Sequence, residues 1–252
     1  FSSSAGKWTS PLDALFTSTS SVCVTGLIVR DTPVYWSLFG QLVILGLIQA
    51  GGIGIMTVYA LLASMLGSRL SMGFERMMGD MVESRPEENI WDMVKFICVL
   101  TVVAESIGAV CLYFSWRSAP CFQDAGAWKC VYFSIFHAIS AFCNAGFSVF
   151  SDSLQRFRGS VPVNVVICAL ILLGGFGFLV VRDLRQYLRW RLFVRRGRRP
   201  QLSTHSKLVL TVSGVLLLIG FVGVFVMESA TSLSDAPLKE RILSAVFQSV
   251  TP

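Results

Sequence analysis

The sequence predicts an all-α integral membrane protein in which units of helix, pore half-helix, filter loop and helix are repeated around an ion pore. Three observations carry this. Charge is missing from four long stretches, several apolar segments are too short to cross a membrane, and a glycine-bearing loop recurs at a spacing of about 120 residues. Of the 252 residues, 54% are hydrophobic and 14% charged, whereas soluble domains carry about 25% charged residues. That balance excludes an ordinary soluble globule.

The four stretches are 34–66, 96–116, 161–181 and 208–227, and among them Glu105 is the one Asp, Glu, Lys or Arg. A crossing helix needs roughly 20 apolar residues for about 30 Å of hydrocarbon, so each stretch is expected to span. The first has 33 residues and would reach roughly 50 Å as one helix, so it must tilt, protrude or break, Gly51-Gly52 being a candidate break. Phe1 to Pro11 is polar and starts without Met, which does not describe a cleavable signal peptide, and the numbering is expected to start inside a longer protein.

Orientation follows from the positive residues near span ends. Segment 182–207 holds eight Arg and one Lys against Asp183, a local +8 that exceeds the whole-chain +6 and leaves the remainder slightly acidic. It reads as a cytoplasmic linker facing anionic lipid, with docking of a cytosolic partner as the other reading. It lies between two spans and has no interleaved stacking platform beyond Tyr187 and Trp190, so no nucleic-acid partner is expected. Parity then puts 67–94 inside and 115–130, 148–160 and 228–240 outside.

Segments 11–20, 129–142 and 239–250 are amphiphilic, short of crossing length, and suit re-entrant half-helices. Pro11 and Asp13 mark the N-terminus of the first. Internal comparison joins these segments to the loops after them. Aligning Phe16, Phe136 and Phe247 brings Ser20, Ser140 and Thr251 into register and puts Gly26 and Gly146 each ten residues after its Phe. Gly51-Gly52-Ile53-Gly54 and Gly174-Gly175-Phe176-Gly177 follow at 25 and 28 residues from those glycines.

Irregular backbone at membrane depth is tolerated only where protein shields it or where it lines a water-filled cavity. Carbonyls facing a common axis can replace the hydration shell of a cation. Glycine allows the backbone angles this needs, and the half-helix points its negative C-terminal end at the ion. The expected function is cation permeation.

TSTSSVCVTGL with QAGGIGIMT, FHAISAFCNAGF and FQSVTP resembles the Trk/Ktr/HKT superfamily of potassium transporters, most closely the Ktr-type membrane subunit, over essentially the whole chain. The resemblance implies four non-identical pore units around one pore, each filter containing a glycine. It matches Val24, Thr25 and Gly26 to the first filter and Asn144, Ala145 and Gly146 to the second, with Val22, Cys23, Phe142 and Cys143 just ahead. Potassium would be held by the backbone of Val24, Thr25, Asn144 and Ala145, sodium being the second candidate ion. The resemblance also implies a membrane homodimer gated by a cytosolic nucleotide-binding regulatory subunit, in the cell membrane. The expected units are 1–66, a first repeat without its opening helix; 67–94, a linker; 95–181, the second repeat; 182–207, the basic linker; and 208–252, a third repeat that stops before its filter glycine. That glycine would fall five positions past Pro252, and the fourth repeat is expected in the remainder of a longer protein.

Other residues leave alternatives open. Glu105 suits a pathway or gating role, or a buried hydrogen-bonded one. His137, aligned with Thr17 and Gln248, reads as a strut for the filter; a metal role would need a second ligand at suitable spacing. Asn144 could offer its side-chain oxygen to the ion or brace the loop. Of seven Cys, five fall in spans or filter loops, while Cys121 and Cys130 lie on the expected outer face and form a candidate disulfide. Gly52-Ile53-Gly54 and Gly175-Phe176-Gly177 lack the third glycine and preceding strand of a dinucleotide site, and are expected to allow close helix packing. No HExxH, GxSxG or phosphate loop is present, and an enzyme is not expected. Potassium uptake is the principal reading, and an ion-coupled transporter with alternating access the alternative.

Overall fold

The computed structural model describes residues 8–54, 90–118, 122, 126–194, 201–229 and 236–251. Helix dominates, in elements that follow the distribution of charge and proline. Helix α1, Pro11–Val22, starts on its proline with Asp13 in the first turn, where a fixed φ and a negative charge both favour a helix N-terminus. A short turn, α2 (Thr32–Tyr35), leads to α3, Leu38–Ile53. Ser37 caps α3 by accepting the Gly40 N–H at 3.2 Å.

Helix α3 ends at Gly54, whose φ is 92°, a conformation glycine adopts without the usual Cβ penalty. Of the stretch expected from 34 to 66, Val34 and Tyr35 belong to α2 and α3 takes 16 residues; Gly51 and Gly52, the candidate break, are still helical and the helix ends at Gly54 instead, while 55–66 lie outside the described residues. Helix α4, Ile90–Arg117, contains the expected second span; it is apolar and long enough to cross from Val94 onward. Helix α5, Ala127–Phe142, is the second half-helix.

The stretch 161–181, expected from its sequence to span as one helix, is two helices instead. Helix α6, Val161–Gly175, is followed by a turn and by α7, Phe178–Arg189, with a bend of 106° between them. The cause lies in the glycines: Gly177 has φ 79°, and a Cβ on Gly174 would overlap the Phe142 carbonyl oxygen. Charge-free sequence sets burial in the membrane, not the direction of the axis. Helix α8, Thr204–Ser229, is long and apolar enough to cross, and α9, Leu238–Val250, is the third half-helix.

Helix α5 sits at the centre, packed by α3, α4 and α6, while α8 pairs with α9, and α9 also touches α6. Tyr132 on α5 donates its hydroxyl to Gln41 Oε1 at 2.7 Å, and Gln41 Nε2 donates to the Trp36 carbonyl at 2.8 Å. These bonds tie the first repeat to the second. The outer end of the core is aromatic: Trp116, Phe122, Phe133, Phe150 and Phe157 meet at centroid separations near 5–6 Å. Asn164 anchors the start of α6 through its amide, which donates to the Phe157 and Ser160 carbonyls at 2.9 and 2.8 Å. The structure is thus an all-α membrane protein of multi-pass type, with two crossing helices among the described residues and a bent third.

Candidate functional site: two glycine loops beneath half-helices

Both loops start at the C-terminus of a half-helix and share one backbone path. Cys23 and Cys143 cap α1 and α5, donating their N–H to the carbonyls of Thr19 and Ile139 at 2.8 and 3.0 Å. One residue on, Val24 and Asn144 take left-handed φ values of 55° and 53°. The next amides, of Thr25 and Ala145, return to the carbonyls of Ser20 and Ser140 at 3.0 and 2.7 Å. Gly26 and Gly146 follow with φ 75° and 70°. The Ser20 and Ser140 hydroxyls then close each loop by donating to the carbonyls of Leu27 and Phe147, at 2.8 and 2.6 Å. Each bond recurs at a spacing of 120 residues, so the repeat seen in sequence is also a repeat of dihedrals and hydrogen bonds.

The two glycines face one another. A Cβ on Gly26 would lie 2.8 Å from the Ala145 carbonyl oxygen, and one on Gly146 would lie 3.1 Å from the Gly26 Cα. Beside them is a cavity of about 400 Å³ lined by Val24, Thr25, Asn144, Gly146 and, from the third repeat, Thr251. The Asn144 amide donates toward the Thr251 carbonyl at 3.5 Å, bracing the second loop against the end of α9. Of the ten residues expected in the filter, Val24, Thr25, Gly26, Asn144, Ala145 and Gly146 form the turns. Val22, Cys23, Phe142 and Cys143 end the helices above them.

The double glycines, expected from the sequence as a candidate break at Gly51-Gly52 and as sites of close helix packing, have a more specific role. A Cβ on Gly51 would overlap the Val22 carbonyl oxygen, as one on Gly174 would overlap that of Phe142, and Gly52 abuts the Cys143 side chain. Each half-helix therefore ends on a bare patch of the following span. Gly54 and Gly177 are different, because they turn the chain out of that span. The signal was present in QAGGIG and LLGGFG, but the partner carbonyls cannot be read from it.

His137 is a strut. The Phe133 carbonyl can only accept, so Nδ1 carries the proton and donates to it at 2.8 Å, leaving Nε2 of the neutral ring to accept from the Ser148 hydroxyl at 3.0 Å. Ser148 Oγ in turn accepts the Phe150 N–H at 3.0 Å, and the imidazole stacks on the Phe150 ring at 4.6 Å. Thr17 fills the aligned place and donates to the Asp13 carbonyl at 2.8 Å. Glu105 is buried and accepts from Gln49 Nε2 at 2.9 Å, which connects α4 to the residues just ahead of Gly51-Gly52. Among the described residues no cluster of His, Cys, Asp and Glu could hold a metal ion. Cys130 is buried on α5, and Cys121, its candidate disulfide partner, lies outside the described residues.

The family model described as TrkH, cation transport protein, matches residues 2–252. The potassium/sodium uptake protein NtpJ of Enterococcus hirae is 35% identical over 253 residues, covering 100% of this chain and 53% of that protein. The Ktr system potassium uptake protein B of Bacillus subtilis is 37% identical over 244 residues, with 96% and 52% covered, and that of Vibrio alginolyticus 35% over 241, with 95% and 50% covered. The chain thus spans about half the length of the curated relatives it matches. With a matching model over nearly every residue and loops that repeat at the bond level, the chain belongs to the TrkH family of cation transport proteins.

Proposed function

We propose that this chain supplies pore units for potassium uptake through a filter of backbone carbonyls. The ion is held by the main chain of Val24, Thr25, Asn144 and Ala145 and passes inward; sodium is the second ion, in keeping with the name of the Enterococcus hirae relative. The reading rests on one observation above the others: two loops that differ in side chain at Val24/Asn144, Thr25/Ala145 and Leu27/Phe147 share left-handed residues, facing glycines and serine closures beside one cavity. Backbone conserved while side chains vary is what a carbonyl site requires. The negative ends of α1 and α5 point to the same place and favour a cation.

The units are those of the sequence, with the inner end of the second now turned aside at Gly175–Gly177. Both described units run half-helix, loop and helix in the same order with the same bonds, which supports a channel-like path over an inverted-repeat transporter. The Ktr system names of the relatives support a membrane subunit working with a separate regulatory subunit; in this reading that regulator is cytosolic and nucleotide-binding, and the membrane subunit is a homodimer. Gly146→Ser in the full-length protein tests the reading. Potassium-dependent growth rescue and tracer uptake should lose at least about tenfold in preference for potassium over sodium, about 1.4 kcal/mol. Unchanged preference and flux would sink the filter assignment. Comparing rescue with and without a nucleotide-binding partner tests the assembly.

A further inference from the structure

The 106° bend sends α7 away from the axis of α6. Helix α6 has 15 residues, a rise of roughly 22 Å against about 30 Å of hydrocarbon. With α6 crossing, α7 therefore turns along the membrane plane near the inner surface. Two contacts fix it there. Asp183, buried, accepts the Ser203 N–H at 3.1 Å and the Ser206 hydroxyl at 2.8 Å, clamping α7 to the start of α8. Arg185 places its guanidinium 5.7 Å from the ring centre of Phe96, near the start of α4.

These contacts also set the roll of α7. Val180, Asp183, Leu184 and Tyr187 form its packed face, at the i, i+3, i+4, i+7 spacing of a single stripe. Arg185, Leu188 and Arg189 lie on the other side of α7, Arg185 at the edge beside Phe96, and Leu192 follows in the π-helical turn Trp190–Val194; all four are exposed among the described residues. Two arginines four positions apart on a helix are neighbours and present planar N–H forks that suit phosphate oxygens. The leucines between and beyond them suit neither a free anion nor a nucleic acid.

We infer that α7 is an interfacial helix whose Arg185, Leu188, Arg189 and Leu192 face grips anionic phospholipid of the inner leaflet, the guanidinium groups on lipid phosphates and the leucines among the upper acyl chains. The inference is independent of which ion the pore passes, and of whether the loops are its filter.

The test uses the full-length protein in neutral detergent, titrated with dioleoylphosphatidylglycerol or dioleoylphosphatidylcholine, with bound lipid counted by native mass spectrometry. Wild type should retain the anionic lipid preferentially, and less as salt rises from about 0.05 to 0.5 M. Arg185→Gln with Arg189→Gln should lower phosphatidylglycerol retention about tenfold and leave phosphatidylcholine unchanged. Leu188→Asn with Leu192→Asn should lower retention of both, and Arg117→Gln, at the outer end of α4, should do neither. Salt-independent retention by wild type, a measurement that needs no variant to fold, would overturn the proposal. So would anionic-lipid retention unaltered in the double arginine variant, or full displacement of lipid by millimolar inorganic phosphate. A double arginine variant that binds lipid normally but loses a cytosolic nucleotide-binding partner would assign the face to protein docking instead.

Discussion

The first and second glycine loops have the same backbone and opposite surroundings. Around Gly146 nearly everything is covered: Ala145, Phe147, Val149 and Phe150 are buried, and Trp116, Phe122 and Phe157 close over them. Around Gly26 the aligned positions are open among the described residues, with Leu27, Ile28 and Val29 all exposed. Yet φ at Val24 and Asn144 differs by only 2°, and the serine closures by 0.2 Å. The turn is therefore encoded locally, by the end of a half-helix, a serine hydroxyl and a glycine, and packing adds rigidity rather than shape. Small departures show how each loop compensates. Thr25 donates its hydroxyl to Ser20 Oγ at 2.9 Å, and Ala145, which has no hydroxyl, is instead fully buried.

The part of the comparison that should be most costly to break is the one feature the loops share with the spans behind them. Gly51→Ala and Gly174→Ala each drive a methyl group into a main-chain carbonyl oxygen, Val22 in one case and Phe142 in the other. Neither helix can yield without moving its loop. Each should cost about 3 kcal/mol or more, seen as lost thermal stability of the purified full-length protein and lost potassium uptake. Equal losses would sharpen the symmetry. A silent Gly51→Ala would show that the first half-helix is held elsewhere.

Next comes the aligned pair Leu27 and Phe147. Phe147→Ala empties a buried site and should cost about 3 kcal/mol, whereas Leu27→Ala should cost under about 1 kcal/mol. Thermal unfolding of both variants would measure the difference. A large effect at Leu27 would mean that the full-length protein covers the first loop too, and the contrast between the loops would then disappear.

How much of this was legible in the sequence depends on what sets each feature. The half-helices were, because Pro11 starts one and length separates them from spans: 11–20, 129–142 and 239–250 correspond to Pro11–Val22, Ala127–Phe142 and Leu238–Val250. The loop repeat was also legible, since Ser20 with Gly26, and Ser140 with Gly146, each act within ten residues of one another. The break at Gly175–Gly177 was not. Residues 161–181 are free of charge and, Asn164 apart, apolar, and hydropathy carries no information on axis direction until the carbonyl that meets Gly174 is known. The aromatic cover over the second loop was hidden for a similar reason, as Trp116, Phe122, Phe150 and Phe157 follow no helical or strand period. Asp183 looked like one stray acid among arginines, and only the fold brings Ser203 and Ser206 to it.

The smallest and most discriminating effect concerns the closures themselves. Ser140→Ala leaves the Phe147 carbonyl buried without its 2.6 Å partner, and an unpaired buried acceptor costs about 1–3 kcal/mol. Ser20→Ala removes a 2.8 Å bond to the Leu27 carbonyl and the acceptor for Thr25, but water can reach both, so the net loss should be about 0.5–1 kcal/mol. Ion preference should respond the other way from stability. Among the described residues the first loop has little around it to hold its carbonyls in place, so Ser20→Ala should loosen potassium over sodium discrimination more than its small stability cost suggests. Ser140→Ala should weaken the fold while the aromatic cover keeps the carbonyls aligned. Parallel measurement of melting temperature and ion preference on the two variants separates the cases. If both quantities fell together at both serines, packing and local bonding would be acting as one system, and the reading that the turn is set locally would have to be abandoned.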